Sequence, residues 1–386
     1  MEVRYVQPNE AVDYLKVSAA SFIWKFNAEE DKTVEMPVLA AFHENQLIAG
    51  VEIFDFRFNF CGNILNAVVP SGVCSRPDCR RMGGVRAVFD EIGRTALEND
   101  WVVGFLHPFS IAYYEKFGYA NLNRMFSVTV QFENLKDVKR NTDVILYDGS
   151  QIDELCALHN ECAMLENLMT LREDKKHFCD TPLEKADYTY FRRNTDGKAD
   201  GYVRFSVNRP NEVVVDELFV LSPDALYGLI GFLRNYDGIA KTLTVRNQYQ
   251  GSPFFCFADR IDGAVYASHG GVAARIYNVR KLLENNLYPN EYGKFRLMMC
   301  DELDLNSGVF EVEYSNGKGT VKRISDEKYD IALTPAAAAR LMLAGEGHCA
   351  HTASYIDGVD IAGNADDFFR AFPHRVTRFL DSCWSV

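Results

Sequence analysis

The feature that most constrains the fold is a run of arginines and glycines between an apolar strand and a helix. The strand pattern ILNAVVPSGVCS is followed by RPDCRRMGG and then by apolar residues at helical spacing. These apolar residues form one face, made of Val85, Val88, Phe89, Ile92 and Ala96. A second strand pattern, DWVVGFLHP, comes next. Strand, loop, helix and strand in this order predict two parallel strands joined by a crossover helix.

Further strand and helix patterns extend on both sides of this unit. The segment PVLAAFHENQLIAGVEIFDFRF predicts a hairpin that turns at Glu44-Asn45. The middle third repeats the order of elements without an Arg/Gly loop, so we interpret it as a duplicated unit that has lost the loop. Independent α/β patterning is the alternative. The last third has turn signals at Asn306-Ser307-Gly308 and Asn316-Gly317, then a helix pattern in DIALTPAAAARLMLAG, which together predict a small α+β domain.

Composition and charge exclude several classes of protein. With 47 % hydrophobic and 25 % charged residues, the chain can bury a sizeable core. A formal net charge of −13 disfavours general nucleic-acid binding. No segment approaches the ~20 apolar residues of a membrane span, and the N-terminus lacks an apolar signal core. Ten cysteines without a CxxC pair predict reduced thiols and a cytoplasmic protein. The group His348-Cys349-Ala350-His351 has no second ligand pair, so we expect no metal.

The Arg/Gly run has the composition of an anion site. A loop that turns sharply into a helix points several backbone N–H groups in one direction, and the helix dipole adds to their attraction for phosphate. Glycine lets a ligand approach the backbone, and arginine adds bidentate contacts. The candidate diphosphate-binding residues are Arg80, Arg81, Met82, Gly83, Gly84 and Val85. A turn with solvated arginines is the alternative. The spacing excludes a P-loop and a dinucleotide fingerprint.

Two motifs together resemble those of the GNAT acetyltransferase superfamily. Arg80, Gly83 and Val85 fall on its Arg/Gln-x-x-Gly-x-Gly/Ala pattern, although Val85 departs from the usual small residue. Tyr114 opens a Tyr-x-x-x-Gly-aromatic segment that ends at Tyr119. The segments LHPFSIAYYEKFGY and ARIYNVRKLLE extend the resemblance to the Eis (enhanced intracellular survival) family over the whole chain.

The resemblance implies a mixed α/β fold of tandem GNAT domains followed by a sterol-carrier-protein-like α+β domain. The expected domains are an active GNAT domain at 1–138, a degenerate GNAT-like domain at 139–276 and the terminal domain at 277–386. It also implies a hexameric acetyl-CoA-dependent N-acetyltransferase that acts on a multi-amine small molecule such as an aminoglycoside. Two alternatives stay open: an acetyl-CoA-sensing or lipid-binding protein without turnover, and a protein or peptide N-acetyltransferase.

The resemblance further assigns roles to individual residues. Tyr114 matches the acid that protonates the departing sulfur, and a phenol with a pKa near 10 holds its proton at neutral pH. The chain-end carboxylate of Val386 matches the base, with the apolar residues Phe379, Leu380 and Trp384 as anchors. The remaining expected acetyl-CoA contacts are Gly72, Val73 and Cys74 at the end of the preceding strand, and Phe109 and Ser110.

Two further expectations concern the acceptor and the mechanism. Trp24 and Phe26 are candidates to line an acceptor pocket, since aromatic rings stack on cations. The acidic run from Glu29 to Asp31 either attracts amines or is a solvated loop. Cys74 and Cys79 are the candidate nucleophiles of a covalent mechanism, which we rank below direct transfer.

Overall fold

The structure is a computed structural model that describes residues 1–122, 124–172, 187–208 and 211–378. Its strands form three sheets. In chain order the strands are β1 (Glu2–Tyr5), β2 (Val38–His43), β3 (Gln46–Phe60), β4 (Asn63–Ser75), β5 (Trp101–Leu106), β6 (Ala120–Asn121), β7 (Met125–Gln131), β8 (Ile145–Leu146), β9 (Asp187–Arg193), β10 (Ala199–Asn208), β11 (Glu212–Val220), β12 (Thr242–Gln248), β13 (Val265–His269), β14 (Ala273–Ile276), β15 (Gly293–Met299), β16 (Gly308–Ser315), β17 (Lys318–Ile324), β18 (Ile331–Leu333) and β19 (Val359–Ile361).

Helices cover the sheets and connect their strands. The α-helices are α1 (Ala11–Phe22), α2 (Gly84–Thr95), α3 (Ile111–Tyr114), α4 (Ile152–Ala163), α5 (Pro223–Leu233), α6 (Pro253–Ala258), α7 (Val279–Glu284), α8 (Pro335–Ala338), α9 (Ala350–Ala353) and α10 (Asp366–Ala371). No helix in the described residues is long and apolar enough to cross a membrane.

The first sheet has the strand order β1-β2-β3-β4-β5-β14-β6. Strands β2 and β3 form the predicted hairpin, and both turn residues, Glu44 and Asn45, have positive φ, which matches the twist of the flanking strands. Strands β4 and β5 are parallel and are joined across α2, as the strand–helix–strand pattern predicts.

Two apolar clusters cover opposite faces of this sheet. One joins α2 and α3 to the sheet through residues such as Val51, Val88 and Tyr114. The other joins α1 to the sheet through Tyr14, Val17 and Cys74. Because side chains alternate along a strand, Leu39 and Ala41 of β2 reach the first cluster, whereas Val38 and Ala40 reach the second.

The second sheet has the order β13-β7-β12-β11-β10-β9-β8 and repeats the parallel crossover. Strands β11 and β12 are parallel, with Glu212 opposite Thr242, and α5 lies between them in sequence. The core here is built from Val, Leu, Ile and Phe of β7, β10, β11, β12, α5 and α6. This tandem arrangement agrees with the duplication predicted from the sequence.

The last sheet has the order β17-β16-β15-β18-β19 and, with helices α7 to α10, makes the expected α+β region. Asn316 and Gly317 both have positive φ in the predicted turn between β16 and β17. The predicted helix over the alanine run begins at Pro335, capped by the Thr334 hydroxyl, but changes to a π-helix at Ala339–Leu343.

The described residues group into two compact units. One contains residues 1–122 and 272–375, and the other contains 124–271, within the described ranges, and 376–378. Strand β7 lies in the second sheet and β14 in the first. The domain boundaries expected at 138 and 276 stay a prediction.

Candidate active site

The turn into α2 leaves the start of that helix open. Pro77–Cys79 form a single 3-10 turn, and Arg81 and Gly83 then take φ values of 69° and 89°. Gly83 is the N-cap and has no side chain to satisfy the first N–H groups of the helix. Nothing lies within 4 Å of the place a Cβ on Gly83 would occupy. Free amides therefore meet open space here, as an anion site requires.

Gly84 allows this helix start to lie directly on β3. A Cβ added at Gly84 would stand 3.0 Å from the Ala49 Cβ and 3.1 Å from the Ile48 Cδ1. These distances are shorter than normal van der Waals contact. The second glycine of the pair thus serves packing, whereas the first serves backbone conformation.

The arginines of the turn fall into two groups. Arg76 is engaged by the protein itself, in an ion pair with Asp78 at 2.6 Å and a hydrogen bond to Gln46 at 2.8 Å. Arg80 and Arg81 are exposed, and neither has an acidic partner in the part of the chain that the structure describes. Met82 is exposed, and Val85 is half-buried against the α2 cluster. Arg80 and Arg81 can therefore turn toward a phosphate without breaking an ion pair.

Strand β4 changes its geometry just before the turn. Gly50 pairs with Cys74 and Glu52 pairs with Ser71, so two residues of β4 stand opposite one residue of β3. This β-bulge contains Gly72, at φ 56°, and Val73. The parallel ladder from β4 to β5 registers Asn66, Ala67 and Val68, and β4 continues beyond it to Ser75. The paired part of β4 and β5 thus ends before the bulge.

The two candidate nucleophilic cysteines differ in their surroundings. Cys74 is buried on the α1 face, where its thiol donates to the Gly50 carbonyl oxygen at 3.5 Å. Burial raises the pKa of Cys74 to about 12. A reactive thiolate needs the opposite shift. Cys79 is half-buried in the 3-10 turn. The surroundings of Cys74 therefore do not suit a nucleophile.

Tyr114 lies at the end of α3 on the same face as α2. Its side chain is 4 % exposed and packs against Phe89, Phe109 and Tyr113 at ring-centroid distances of 6.0, 5.6 and 5.2 Å. Burial, and to a lesser degree Tyr113, raises the pKa of Tyr114 well above its usual value of 10. The phenol therefore keeps its proton at neutral pH.

The residues around Tyr114 present a mixed surface. Phe109 is 76 % exposed, which is unusual for a phenylalanine, and Ser110 is half-buried at the N-cap of α3. Tyr113 is also half-buried, with the Lys116 ammonium 5.5 Å from the centre of its ring. The exposed ring of Phe109, next to the buried phenol of Tyr114, offers an apolar contact surface to the arm of a thioester ligand.

The candidate acceptor residues follow α1. Trp24 and Phe26 are half-buried, and their ring centroids are 6.4 Å apart. Asp31 closes a local turn by accepting from the Asn27 backbone N–H at 2.6 Å, while Glu29 and Glu30 are exposed. The Ser75 backbone N–H donates to the Ser21 hydroxyl at 3.3 Å, which links the end of α1 to the end of β4.

The predicted base lies outside the described residues. Val386, and the expected anchors Phe379, Leu380 and Trp384, fall in this part of the chain. Two residues that sequence reasoning missed are Tyr14 and Glu52, which meet beside the bulge. The signal for Glu52 was a single carboxylate inside the otherwise apolar run LIAGVEIF.

The corresponding turn in the second sheet is closed. Strand β11 passes into α5 through Ser222, whose hydroxyl accepts from the Ala225 N–H at 3.1 Å. Pro223 and Asp224 open this helix, and the carboxylate of Asp224 pairs with Arg192 at 2.6 Å. A capped, acidic helix start does not attract phosphate, so the first sheet holds the diphosphate site candidate.

Comparison with known protein families identifies two domains of one kind along the chain. Two family profiles match the chain, and both describe an acetyltransferase (GNAT) domain. One covers residues 2–122, which include the open turn, the bulge and Tyr114, and the other covers residues 169–276. The chain is a GNAT-family acetyltransferase. The family implies acetyl-CoA as co-substrate and a small-molecule acceptor. The open start of α2, the exposed Arg80 and Arg81, and the end of the β4–β5 ladder before the bulge fit this co-substrate.

Solved structures resemble this GNAT acetyltransferase over nearly its full length. A protein of Enterococcus faecalis V583 described as a probable N-acyltransferase shares 20 % identity and a TM-score of 0.86, with 98 % of each chain covered. A GCN5-related N-acetyltransferase of Anabaena variabilis ATCC 29413 has 15 % sequence identity and a TM-score of 0.80, with 98 % of this chain and 100 % of the other covered. Eis1 of Mycobacterium abscessus has 16 % sequence identity and a TM-score of 0.78, with 99 % of this chain and 100 % of the other covered. These TM-scores establish a common fold. No protein with a curated description matches the sequence.

No group of three or more His, Cys, Asp or Glu side chains that could hold a metal ion occurs within the described ranges.

Proposed function

We propose that this enzyme is an Eis-like N-acetyltransferase that transfers acetyl from acetyl-CoA to primary amines of a multi-amine small molecule of the aminoglycoside type. The observation that carries the proposal is the arrangement on the first sheet. The open turn into α2, the bulge at Gly72–Val73 and the buried phenol of Tyr114 all lie at the end of β4 or on the α2 face beside it.

Each part of this arrangement has a chemical task. The amides at Gly83 and Gly84, with Arg80 and Arg81, hold the diphosphate. The bulged backbone around Val73 offers a hydrogen bond to the thioester carbonyl oxygen, where negative charge develops during attack. Tyr114 gives its proton to the departing sulfur, because its raised pKa keeps the phenol protonated at neutral pH until negative charge develops on that sulfur.

The base and the assembly rest on the resemblance alone. It assigns the chain-end carboxylate of Val386 as a base and a hexamer as the assembled state. Trp24 and Phe26 are the proposed lining of the acceptor pocket because aromatic rings stack on cations. The resemblance also implies that the last sheet belongs to a sterol-carrier-protein-like domain.

An acetyl-CoA turnover screen tests the proposal. The purified protein is mixed with acetyl-CoA and, in turn, an aminoglycoside, a linear polyamine and a lysine-containing peptide, and free thiol is followed. We expect thiol release with the multi-amine small molecules and a mass increase of one or more acetyl groups. Thermal stabilisation by CoA without turnover would instead support a sensor, and turnover with the peptide alone would support a peptide acetyltransferase.

A further inference from the structure

Glu52 is a carboxylate in the middle of an apolar strand. It lies on β3 between Val51 and Ile53, which are buried in the α2-face cluster, while its own side chain is on the opposite, α1 face. There the Tyr14 hydroxyl donates a hydrogen bond to Glu52 Oε1 at 2.9 Å. Tyr14 is fully buried. A half-buried carboxylate that a buried phenol holds in one position is a prepared polar site.

This carboxylate is next to the β-bulge of β4. A Cβ added at Gly72 would be 3.1 Å from the Glu52 Cδ and 2.9 Å from the Tyr14 hydroxyl oxygen. Glu52 is also the register partner of Ser71. The carboxyl group is therefore in contact distance of the backbone segment to which we assign the thioester carbonyl.

The two faces of the sheet separate two chemical tasks. The open start of α2 and the phenol of Tyr114 belong to the α2 face, which suits the co-substrate and its leaving sulfur. Glu52 is on the α1 face, where Ser21 fixes the end of α1 to Ser75 just before the loop of Trp24 and Phe26. An amine attacks a planar carbonyl group from one side of the carbonyl plane. Because the co-substrate and its leaving sulfur are assigned to the α2 face, the amine approaches from the α1 face.

The charges around Glu52 favour a cation. Burial raises the pKa of Glu52, the hydrogen bond from Tyr14 opposes this shift, and the exposed carboxylate of Glu35 adds to it. The third titratable neighbour, the Cys74 thiol, is neutral because burial raises its pKa to about 12. In the described part of the chain, the groups facing Glu52 are thus a phenol, a neutral thiol and a second carboxylate. An ammonium ion would relieve the repulsion between the two carboxylates.

We propose that Glu52 binds the ammonium group of the acceptor and takes its first proton, so that a primary amine is delivered to the bulge of β4. Oε1 stays with Tyr14 and Oε2 meets the cation. This inference rests on the proposed function and names a base that sequence reasoning did not identify.

The proton and electron balance is complete with the groups already named. The ammonium nitrogen gives one proton to Glu52, and its lone pair then forms the C–N bond to the carbonyl carbon. The C–S bond breaks with its electron pair on sulfur, and Tyr114 supplies the proton for the thiol. The nitrogen loses its second proton to the further base predicted at Val386. Solvent takes the protons from both carboxylates and restores Tyr114, so one proton is released per acetyl group transferred.

The substitution Glu52→Gln tests this role, with Glu212→Gln as the matched control. Glu212 is also half-buried on a strand and accepts from a hydroxyl, that of Thr244 at 2.5 Å. We expect Glu52→Gln to lower kcat/KM for the amine by about 10²–10⁴-fold, the usual contribution of a general base. It should also move the acidic limb of the pH–rate profile. The dissociation constant of CoA should stay within about twofold of that of the unaltered enzyme.

A second variant keeps the carboxylate and changes its titration. Tyr14→Phe retains the buried ring but removes the hydrogen bond that lowers the pKa of Glu52. The acidic limb should therefore move to higher pH, a change that a purely structural role of Tyr14 would not produce.

The outcomes separate this inference from the proposed function. If the unaltered enzyme acetylates amines and Glu52→Gln matches Glu212→Gln in kcat/KM and pH profile, the role of Glu52 is overturned and the proposed function stands. If a folded Tyr14→Phe leaves the acidic limb in place, the inference is likewise overturned. If the unaltered protein turns over no amine, the proposed function fails and the inference fails with it.

Discussion

Replacing Gly83 by alanine separates the conformational role of this glycine from its role in binding. Gly83 has φ 89° with open space around the missing Cβ, and Gly62, in the turn between β3 and β4, has φ 88° with equally open space. A left-handed conformation costs a residue with a Cβ about 1–2 kcal/mol. Gly83→Ala and Gly62→Ala should therefore lower the free energy of unfolding by similar amounts, measured by urea denaturation.

Only the change at Gly83 should weaken the binding of CoA. A methyl group there stands between the free amides at the start of α2 and the diphosphate. Losing one hydrogen bond to a charged group costs about 1.5–3 kcal/mol. That corresponds to a rise in the dissociation constant of roughly ten- to hundredfold, measured by calorimetric titration with CoA. Equal CoA affinity of the two variants would refute the assignment of the diphosphate to this turn.

Three further predictions test other parts of the account. Tyr114→Phe should lower kcat at least tenfold with CoA affinity unchanged, whereas Tyr113→Phe should leave kcat nearly unaltered; equal kcat values would remove Tyr114 from the mechanism. A short extension after Val386 should depress kcat by displacing the chain-end carboxylate, and a fully active extended protein would contradict that role. Glu217→Gln should lower the free energy of unfolding by about 3–5 kcal/mol at pH 7, because it removes the carboxylate charge that pairs with the buried guanidinium of Arg172. Burial alone would raise the pKa of Glu217, but Arg172 more than compensates and holds it at about 2, against 4.5 in the unfolded chain. This stabilisation is complete above pH 4.5 and is lost as the pH falls toward 2, so the two proteins should converge in that range.

The sequence predicted the elements that depend on local pattern. The hairpin at Glu44-Asn45, the crossover helix beginning at Gly84 and the turn at Asn316-Gly317 all follow from turn chemistry and apolar spacing, and the structure contains each of them. The closed turn at Ser222 was likewise visible as a missing Arg/Gly loop. Such features depend on residues that are close in the chain.

The features that sequence reasoning missed depend on residues far apart in the chain. Tyr14 and Glu52 are 38 residues apart and meet because α1 packs across β3 and β4. The face on which Cys74 lies follows from the register of β4, which the bulge shifts. The position of β7 in the second sheet and of β14 in the first sheet depends on the packing of whole sheets. None of these follows from a local motif.

Hydrogen–deuterium exchange with and without CoA tests the central claim most directly. The account predicts that CoA slows amide exchange in the peptide spanning Arg80 to Arg86 and leaves the start of α5, from Ser222 to Tyr227, unchanged. Protection at the start of α5 without protection at Arg80 to Arg86 would contradict it.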